Sequence, residues 1–417
     1  MRKKLLIAAG AAAGLIGLTA VPYAALAENT EPASSESKAD VELLERKLDA
    51  LHEAAGPASV AVEVNDGDQV WTEARGDRDP DSGTPTEPTD RVRVASLTKS
   101  MVSTVLLQLV EEGELELDDP VDEYLPGVLP YEETITVRQL LNHTSGLHDY
   151  FKYIYKTLDD VREKREQEFT VEEIIEIGTQ EPLLFAPGEG FSYSNTGYYV
   201  LGLLVEELTG DSLDAQLQER VFDVVGMDDT YVPTEPTIDG PHPHAYFATG
   251  DDADPYIDTT KLSPTQMWAA GAVVSNQSDV DDFYRAHSDG TLLSPEMLEE
   301  ARTVSDPSLD QMPYGLGLTR FDVPDGCEAM PGGHAWGHTG GGLGFSTYSF
   351  HSADGERQVS FTWTLDAQAV SDHPAYQAAY ELLLAGMCDL DAGDGAVDAQ
   401  SADQLADLMR NETVVLD

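Results

Sequence analysis

The chain has 417 residues and a mass of 45.2 kDa, with 24 Lys and Arg against 77 Asp and Glu, a formal net charge of −53 and 41% hydrophobic residues. That apolar fraction supports a sizeable core and excludes a chain disordered throughout. So negative a surface argues against nucleic acid or an anionic membrane as partner, since both are bound through Lys and Arg.

Residues 1–27 read as a secretory signal peptide. Arg2, Lys3 and Lys4 precede an apolar run from Leu5 to Ala20, and Ala25-Leu26-Ala27 forms a small-residue cleavage site. The competing reading is an uncleaved anchor. The expected mature protein is therefore secreted, with cell-wall association open to it and no membrane span after cleavage. Residues 28–40 are polar and rich in Pro, Ser and Glu, as in a linker. Val41, Leu44, Leu48, Leu51 and Ala55 recur at helical spacing. Two short β-type runs, Ser59–Val64 and Gln69–Glu73, surround the turn signal Asn65-Asp66-Gly67-Asp68. Ser96 then opens a run, Met101 to Val110, that is apolar nearly all round, as in a helix buried on every side, with Gly113 suited to its end.

From about 115 to 265 the pattern is helices and loops, clearest at 136–142, 171–179 and 197–208. Alternation returns at Gly344–His351 and Gln358–Thr364 around Ala353-Asp354-Gly355, a second hairpin, and His373–Cys388 reads as a closing helix. The expected fold is α+β: one antiparallel sheet built from both chain ends and flanked by helices, with an all-α subdomain inserted at about 115–265 of a domain spanning 41–388. Residues 389–417 read as an acidic, flexible tail. The two cysteines, Cys327 and Cys388, are an even count in an exported protein, which points to one disulfide.

Three segments carry candidate chemistry. Ser96-Leu97-Thr98-Lys99 opens the buried helix, so Ser96 and Lys99 lie one turn apart on one face, where an amine can accept a hydroxyl proton. The competing reading is an N-cap serine with a surface lysine. Tyr193-Ser194-Asn195 follows a Pro/Gly-marked loop; a phenol near a lysine can relay a proton, and an amide can orient a substrate amide. The alternative is a turn with Asn195 as helix cap. His338-Thr339-Gly340-Gly341-Gly342 is a Gly-rich approach to a strand that lets the backbone come close to a ligand, with His338 as donor or positive charge; a tight turn with a structural histidine competes. No Gly-Lys-Ser/Thr follows the glycines, so a P-loop is excluded. His242-Pro243-His244 near Asp251, Asp252 and Asp254 reads as a solvated loop rather than a metal site. The cluster Tyr150, Phe151, Tyr153 and Tyr155 reads equally as cleft lining or a packed helix face. No metal and no cofactor are expected.

Ser96-x-x-Lys99, Tyr193-x-Asn195 and His338-Thr339-Gly340 stand in the order found in the penicillin-recognising serine enzymes. With Tyr in the second motif and His in the third, the chain resembles the branch of class C β-lactamases and D-alanyl-D-alanine carboxypeptidases. Leu140 to Leu147 (LLNHTSGL) is a further phrase typical of it. The resemblance covers roughly 41–388 and is nearest to the secreted carboxypeptidases. It implies Ser96 as acylated nucleophile, Lys99 and Tyr193 as general base and acid, and Asn195 on the substrate amide. It further implies His338 and Thr339 along the substrate strand, and the N–H groups of Ser96 and Gly341 as oxyanion hole. His143 has a structural role in that phrase.

Two departures touch the substrate. In the carboxypeptidases that the chain resembles, an Arg directly after a Gly-Leu-Gly-Leu run binds the terminal carboxylate, and a hydroxyl residue often follows His-Thr-Gly. Here Gly315-Leu316-Gly317-Leu318 is followed by Thr319 and then Arg320, and the position after Gly340 is Gly341. A one-residue slip moves a strand side chain to the other face, so Arg320 serves only through a bulge. The expectation is an exported, monomeric D-Ala-D-Ala carboxypeptidase acting on a small peptide or ester, with peptidoglycan stem peptides and β-lactams as candidate ligands. An esterase or class C-like β-lactamase, and a catalytically silent penicillin- or wall-binding protein, are the alternatives. The acidic excess fits solvation in a salty medium. Stability followed by circular dichroism should rise from low to molar KCl; a flat profile excludes that origin.

Overall fold

A computed structural model describes residues 40–391, apart from 68, 310, 311, 325, 326, 328, 331, 368, 369, 371 and 372. The signal peptide, nearly all of the linker and positions 392–417 of the tail lie outside the described residues. Helix α1 (Val41–Ala55) starts at Asp40, whose carboxylate accepts from the Leu43 N–H at 3.1 Å. It leads into the hairpin of β1 (Val60–Asp66) and β2 (Gln69–Arg75). Helix α2 (Leu97–Glu112) ends at Gly113, whose left-handed backbone turns its N–H back to the carbonyls of Leu109 and Val110. Helices α3 (Asn195–Thr209) and α4 (Gln277–Ser288) follow. Then come β3 (Thr319–Asp322), β4 (His334–Gly342), β5 (Phe345–His351), β6 (Arg357–Trp363) and α5 (Pro374–Cys388).

The six strands form one antiparallel sheet in the order β2-β1-β6-β5-β4-β3, so the first hairpin pairs with the last strand and both chain ends meet at its centre. Its two faces differ in chemistry. Val60, Val62, Val64, Phe350, Phe361 and Trp363 form a core with Leu44, Leu48 and Leu51 of α1 and with α5. The other face carries Glu63, Asn65, Ser349, Gln358, Ser360 and Thr362, also buried, under α4. There Asn65 Nδ2 donates to Asp281 at 3.1 Å and Gln358 Nε2 to the Asp281 carbonyl at 2.8 Å. Gln277 Nε2 donates to Thr362 at 2.9 Å, and Ser360 donates to the Asp281 carboxylate. Half of the buried positions of α4 are polar (Gln277, Asp279, Asp281 and His287, beside Val280, Phe283, Tyr284 and Ala286), so its apolar residues are too few to mark a buried helix in the sequence.

Two further differences have physical reasons. The glycine run is not an approach to a strand but β4 itself; the hairpin turn is Leu343-Gly344, with Gly344 at φ 98°. Strand propensity is overridden because the backbone must lie against another segment, shown below. Inside the block read as helical, Tyr246–Ala248 and Tyr256–Asp258 pair as short strands, and Leu365–Asp366 adds parallel to the first. Cys327 and Cys388 form a disulfide that ties the loop before β4 to the end of α5. Among the described residues no helix is long and apolar enough to cross a membrane.

Under α4, burial and then nearby Asp282 push the Glu63 carboxyl up to about 7, and burial followed by Glu63 drives Asp281 well above the usual range. Both acids bind protons more tightly folded than unfolded, so their contribution to stability is full at acidic pH and falls as pH rises from the ordinary carboxylate range through about 7. Denaturant titrations across that window should show the decline in the wild type and a shallower one in Glu63→Gln.

Candidate active site

Ser96 stands at the N-cap of α2, in a turn where Ala95 adopts a left-handed backbone (φ 49°). The turn is pinned from outside: the Val94 N–H donates to the Val273 carbonyl at 3.0 Å, and the Val273 N–H to Thr98 Oγ1 at 3.1 Å. The Ser96 side chain makes no capping bond. Its Oγ lies 2.9 Å from Lys99 Nζ. Lys99 has no exposed surface and Ser96 only 1%, so the reading of a capping serine with a surface lysine does not hold.

Lys99 Nζ also donates to Asn195 Oδ1 and to the Ala270 carbonyl, each at 2.7 Å. It lies 4.9 Å from the ring centroid of Tyr193 and 5.4 Å from that of Tyr198. Ser194, not Asn195, is the N-cap of α3, so the Asn195 side chain is available to the site. Its Nδ2 donates to both carboxylate oxygens of Asp149 at 3.2 Å. Tyr193 packs on His143 with ring centroids 4.1 Å apart, and His143 Nδ1 accepts the Ser194 N–H at 3.2 Å. Burial, then Lys99, then His338 hold the His143 pKa well below the usual imidazole value, so it is a neutral, structural support of the Tyr193 loop.

β4 completes the cluster. A Cβ at Gly340 would sit 2.3 Å from the Val94 carbonyl oxygen, so only glycine lets this strand back onto the Val94–Ser96 turn. His338 shares the face of Gly340 by strand alternation. Its Nδ1–H is taken by the Thr339 carbonyl and its Nε2 accepts the Tyr314 hydroxyl at 2.7 Å. Burial and then Lys99 bring its pKa down to about 3, so His338 is neutral and the expected positive charge is absent. Thr339 and Gly341 occupy the alternate face, across from Tyr348 and Ser346.

Arg320 is not brought into this cluster. It pairs in register with Trp336, on the His338 face of the sheet, while Thr319 pairs with Gly337. Its guanidinium binds Asp322 twice, at 2.8 and 3.1 Å. The Gly-Leu-Gly-Leu run before it docks on α2: Ser100 and Ser103 donate to the Gly317 and Leu316 carbonyls at 2.7 Å, and a Cβ at Gly317 would meet Ser103 Cβ at 2.5 Å. Tyr150, Phe151 and Tyr155 are buried, with the Tyr150 and Tyr155 hydroxyls on Gln266, so these three are packed structure, while Tyr153 is half-buried with its hydroxyl 3.0 Å from His148 Nδ1. His244 pairs with Asp258 at 3.2 Å.

Residues 44–383 match the model of the Beta-lactamase family. The chain belongs to the Beta-lactamase family. A D-stereospecific amidohydrolase from a Streptomyces species superposes with a TM-score of 0.74 at 30% identity, over 84% of this chain and 99% of that one. The D-amino acid amidase of Ochrobactrum anthropi SV3 complexed with D-phenylalanine gives 0.70 at 26%, over 82% and 98%. Penicillin-binding protein 4* of Bacillus subtilis (strain 168) is 28% identical over 312 residues, 70% of this chain and 64% of its own length. The chain spans less than two thirds of the length of the curated relatives it matches. Its mixed helices and antiparallel sheet are the β-lactamase and penicillin-binding protein fold.

In this Beta-lactamase family chain, sequence reasoning missed Asp149, the Ala270 carbonyl and Tyr314. Asp149 lies two residues past the LLNHTSGL phrase, but one acid among 77 Asp and Glu carries no mark of its own. A carbonyl has no sequence signal. Gly340→Ala should cost about 1–3 kcal/mol through overpacking and reduce covalent labelling of Ser96 by a fluorescent penicillin; full labelling would mean that β4 does not set the Val94–Ser96 turn.

Proposed function

We propose that this chain is a serine amidohydrolase that forms an acyl-enzyme on Ser96, with D-configured amino-acid amides and peptides as substrate class. The observation that carries it is the Lys99 amine 2.9 Å from Ser96 Oγ, held on its other sides by Asn195 Oδ1 and the Ala270 carbonyl. In that geometry Lys99, with the Tyr193 phenol beside it, takes the Ser96 proton as Oγ attacks the carbonyl carbon. The proton passes to the leaving amine as the C–N bond breaks. Water then enters by the reverse relay, and its attack on the ester frees the acid and restores the Ser96 hydroxyl. The N–H groups of Ser96 and Gly341 are the assigned donors to the oxyanion. The substrate class follows the likeness to the Streptomyces D-stereospecific amidohydrolase, which spans nearly all of that protein.

A D-Ala-D-Ala carboxypeptidase of cell-wall peptides is the second reading, and a secreted, monomeric protein goes with it. The similarity to penicillin-binding protein 4* supports it, as does the place of Arg320 on the sheet face that carries His338. Against it, the net charge of −53 opposes an incoming carboxylate, and Asp322 already holds the Arg320 guanidinium.

The test compares D- and L-phenylalanine amide, a D-Ala-D-Ala peptide and its C-terminal amide. Preference for the D-amide, lost at least about 1,000-fold in Ser96→Ala, is expected. Preference for the free-carboxylate peptide would select the carboxypeptidase, and activity retained in Ser96→Ala would remove Ser96 as nucleophile.

A further inference from the structure

Asn195 has a donor end and an acceptor end, and the two neighbours of its amide are of opposite kind. Lys99 Nζ donates to Oδ1 at 2.7 Å, while Nδ2 donates to both Asp149 oxygens at 3.2 Å. A reversed amide would set oxygen against carboxylate oxygen and NH₂ against the lysine amine. Asp149 is itself held in a frame. The Phe151 N–H donates to its Oδ1 at 3.2 Å, and the Tyr150 N–H donates to Thr196 Oγ1 at 3.1 Å. The Ser194 and Thr196 hydroxyls donate to the neighbouring His148 carbonyl at 3.0 and 2.7 Å. Segment 148–151 is thereby bonded to the N-terminus of α3 on both sides of Asn195.

We propose that Asp149 is a positioning residue for the reaction: it locks the Asn195 amide with its carbonyl toward Lys99, so that the lysine amine keeps its direction toward Ser96 Oγ. Two of the bonds that Lys99 makes go to carbonyl oxygens, of Asn195 and of Ala270, and a third direction meets Ser96. When Lys99 is a neutral amine, its two N–H bonds satisfy those carbonyls and its lone pair faces the hydroxyl. Losing the Asn195 acceptor frees the amine to rotate, and the lone pair loses its aim. Charged and titratable neighbours bear on the network from each side. Lys152 and Lys99 face Asp149, and burial raises its pKa while both lysines oppose the rise. Tyr193, Tyr198, His143 and His338 surround Lys99, and the two histidines are neutral.

This inference rests on Ser96 acylation, and its test separates the two. Hydrolysis of p-nitrophenyl acetate, which lacks an amine and a carboxylate, is followed for wild type, Asp149→Asn, Asp149→Ala and Ser96→Ala, with the folded fraction of each from near-UV circular dichroism. Asp149→Asn keeps the shape but brings its own NH₂, so it tolerates either amide orientation. It should lower kcat per folded molecule about 100-fold, as for a misplaced catalytic group, with KM within about threefold of wild type. The acid limb of its kcat–pH profile should move to lower pH, because a carboxylate that favours the protonated amine is gone. Asp149→Ala should share the shifted limb. Wild-type kcat and pH profile in Asp149→Asn, with Ser96→Ala inactive, would overturn the inference alone. So would a loss that tracks the folded fraction with the limb unmoved, or a rise confined to KM. Full turnover by Ser96→Ala would overturn the acylation reading itself, and this inference with it.

Discussion

The amine of Lys99 has no exposed surface, and the construction of the site follows from that. An ammonium removed from water without partners is several kcal/mol unfavourable, and a neutral amine still needs its N–H groups satisfied. One partner, Ser96, is a turn away, and two come from distant places in the sequence: Asn195 at the start of α3 and the Ala270 carbonyl. α2, α3 and the short helix Trp268–Gly271 must therefore dock together before Lys99 can be buried. Strain gathers at the same place. Of the four described non-glycine residues with left-handed backbone, Ala95 precedes Ser96, His143 packs on Tyr193 and Trp268 stands two before Ala270. Such residues cost about 1–3 kcal/mol each and persist only where the surroundings over-determine them.

The polar face of the sheet joins this site to the buried acids under α4. In register, Glu63 sits across from Ser360, Ser360 from Ser349, and Ser349 from His338. One row of polar side chains thus crosses four strands, from the buried acids under α4 to the histidine beside Lys99, with Ser360 donating to Ser349 at 2.7 Å. The apolar face behind it supplies the packing with α1 and α5. The polar row is flanked on its own side by a second apolar core, in which α2 and α3 pack with Trp336 and Phe345, so the buried polar groups are held between two hydrophobic clusters.

That division explains what sequence reading reaches and what it does not. β1 and β6 alternate, and alternation reveals a strand whether its polar face meets water or a polar helix. α1 shows its apolar positions at helical spacing, α2 and α5 stand out as long, strongly apolar runs, and the order of the three motifs places the site. α4 is obscure because its buried side holds Gln277, Asp279 and Asp281. β4 is obscure because the close approach of Gly340 to the Val94 carbonyl, which needs a glycine in the strand, is a contact fixed only in three dimensions. Asp149 is obscure for the same reason: its partner Asn195 lies 46 positions away. The register of Arg320 needed the pairing with Trp336, since the letters alone cannot say which of Thr319 and Arg320 turns toward His338.

Arg320 also shows how the charge of the whole chain bears on specificity. With 24 basic residues among 77 acids, cations are scarce, and those on this side are engaged: Arg320 with Asp322, and Arg302 with Ser288, the Ala353 carbonyl and the Trp336 ring. The Arg320–Asp322 pair is half open to water, with the two side chains 25% and 48% exposed. A pair of that kind is worth only about 0–1 kcal/mol, so exchanging Asp322 for a substrate carboxylate requires little at the contact itself. The opposition comes from the net charge of −53, whose field acts on an incoming anion and weakens as salt screens it beyond about 10 Å. An uncharged amide or an ammonium-bearing substrate meets no such opposition. The cluster of Ser96, Lys99 and Asn195 is buried out of reach of salt, whereas the Arg320–Asp322 pair, the contact that the carboxypeptidase reading requires, is open to it.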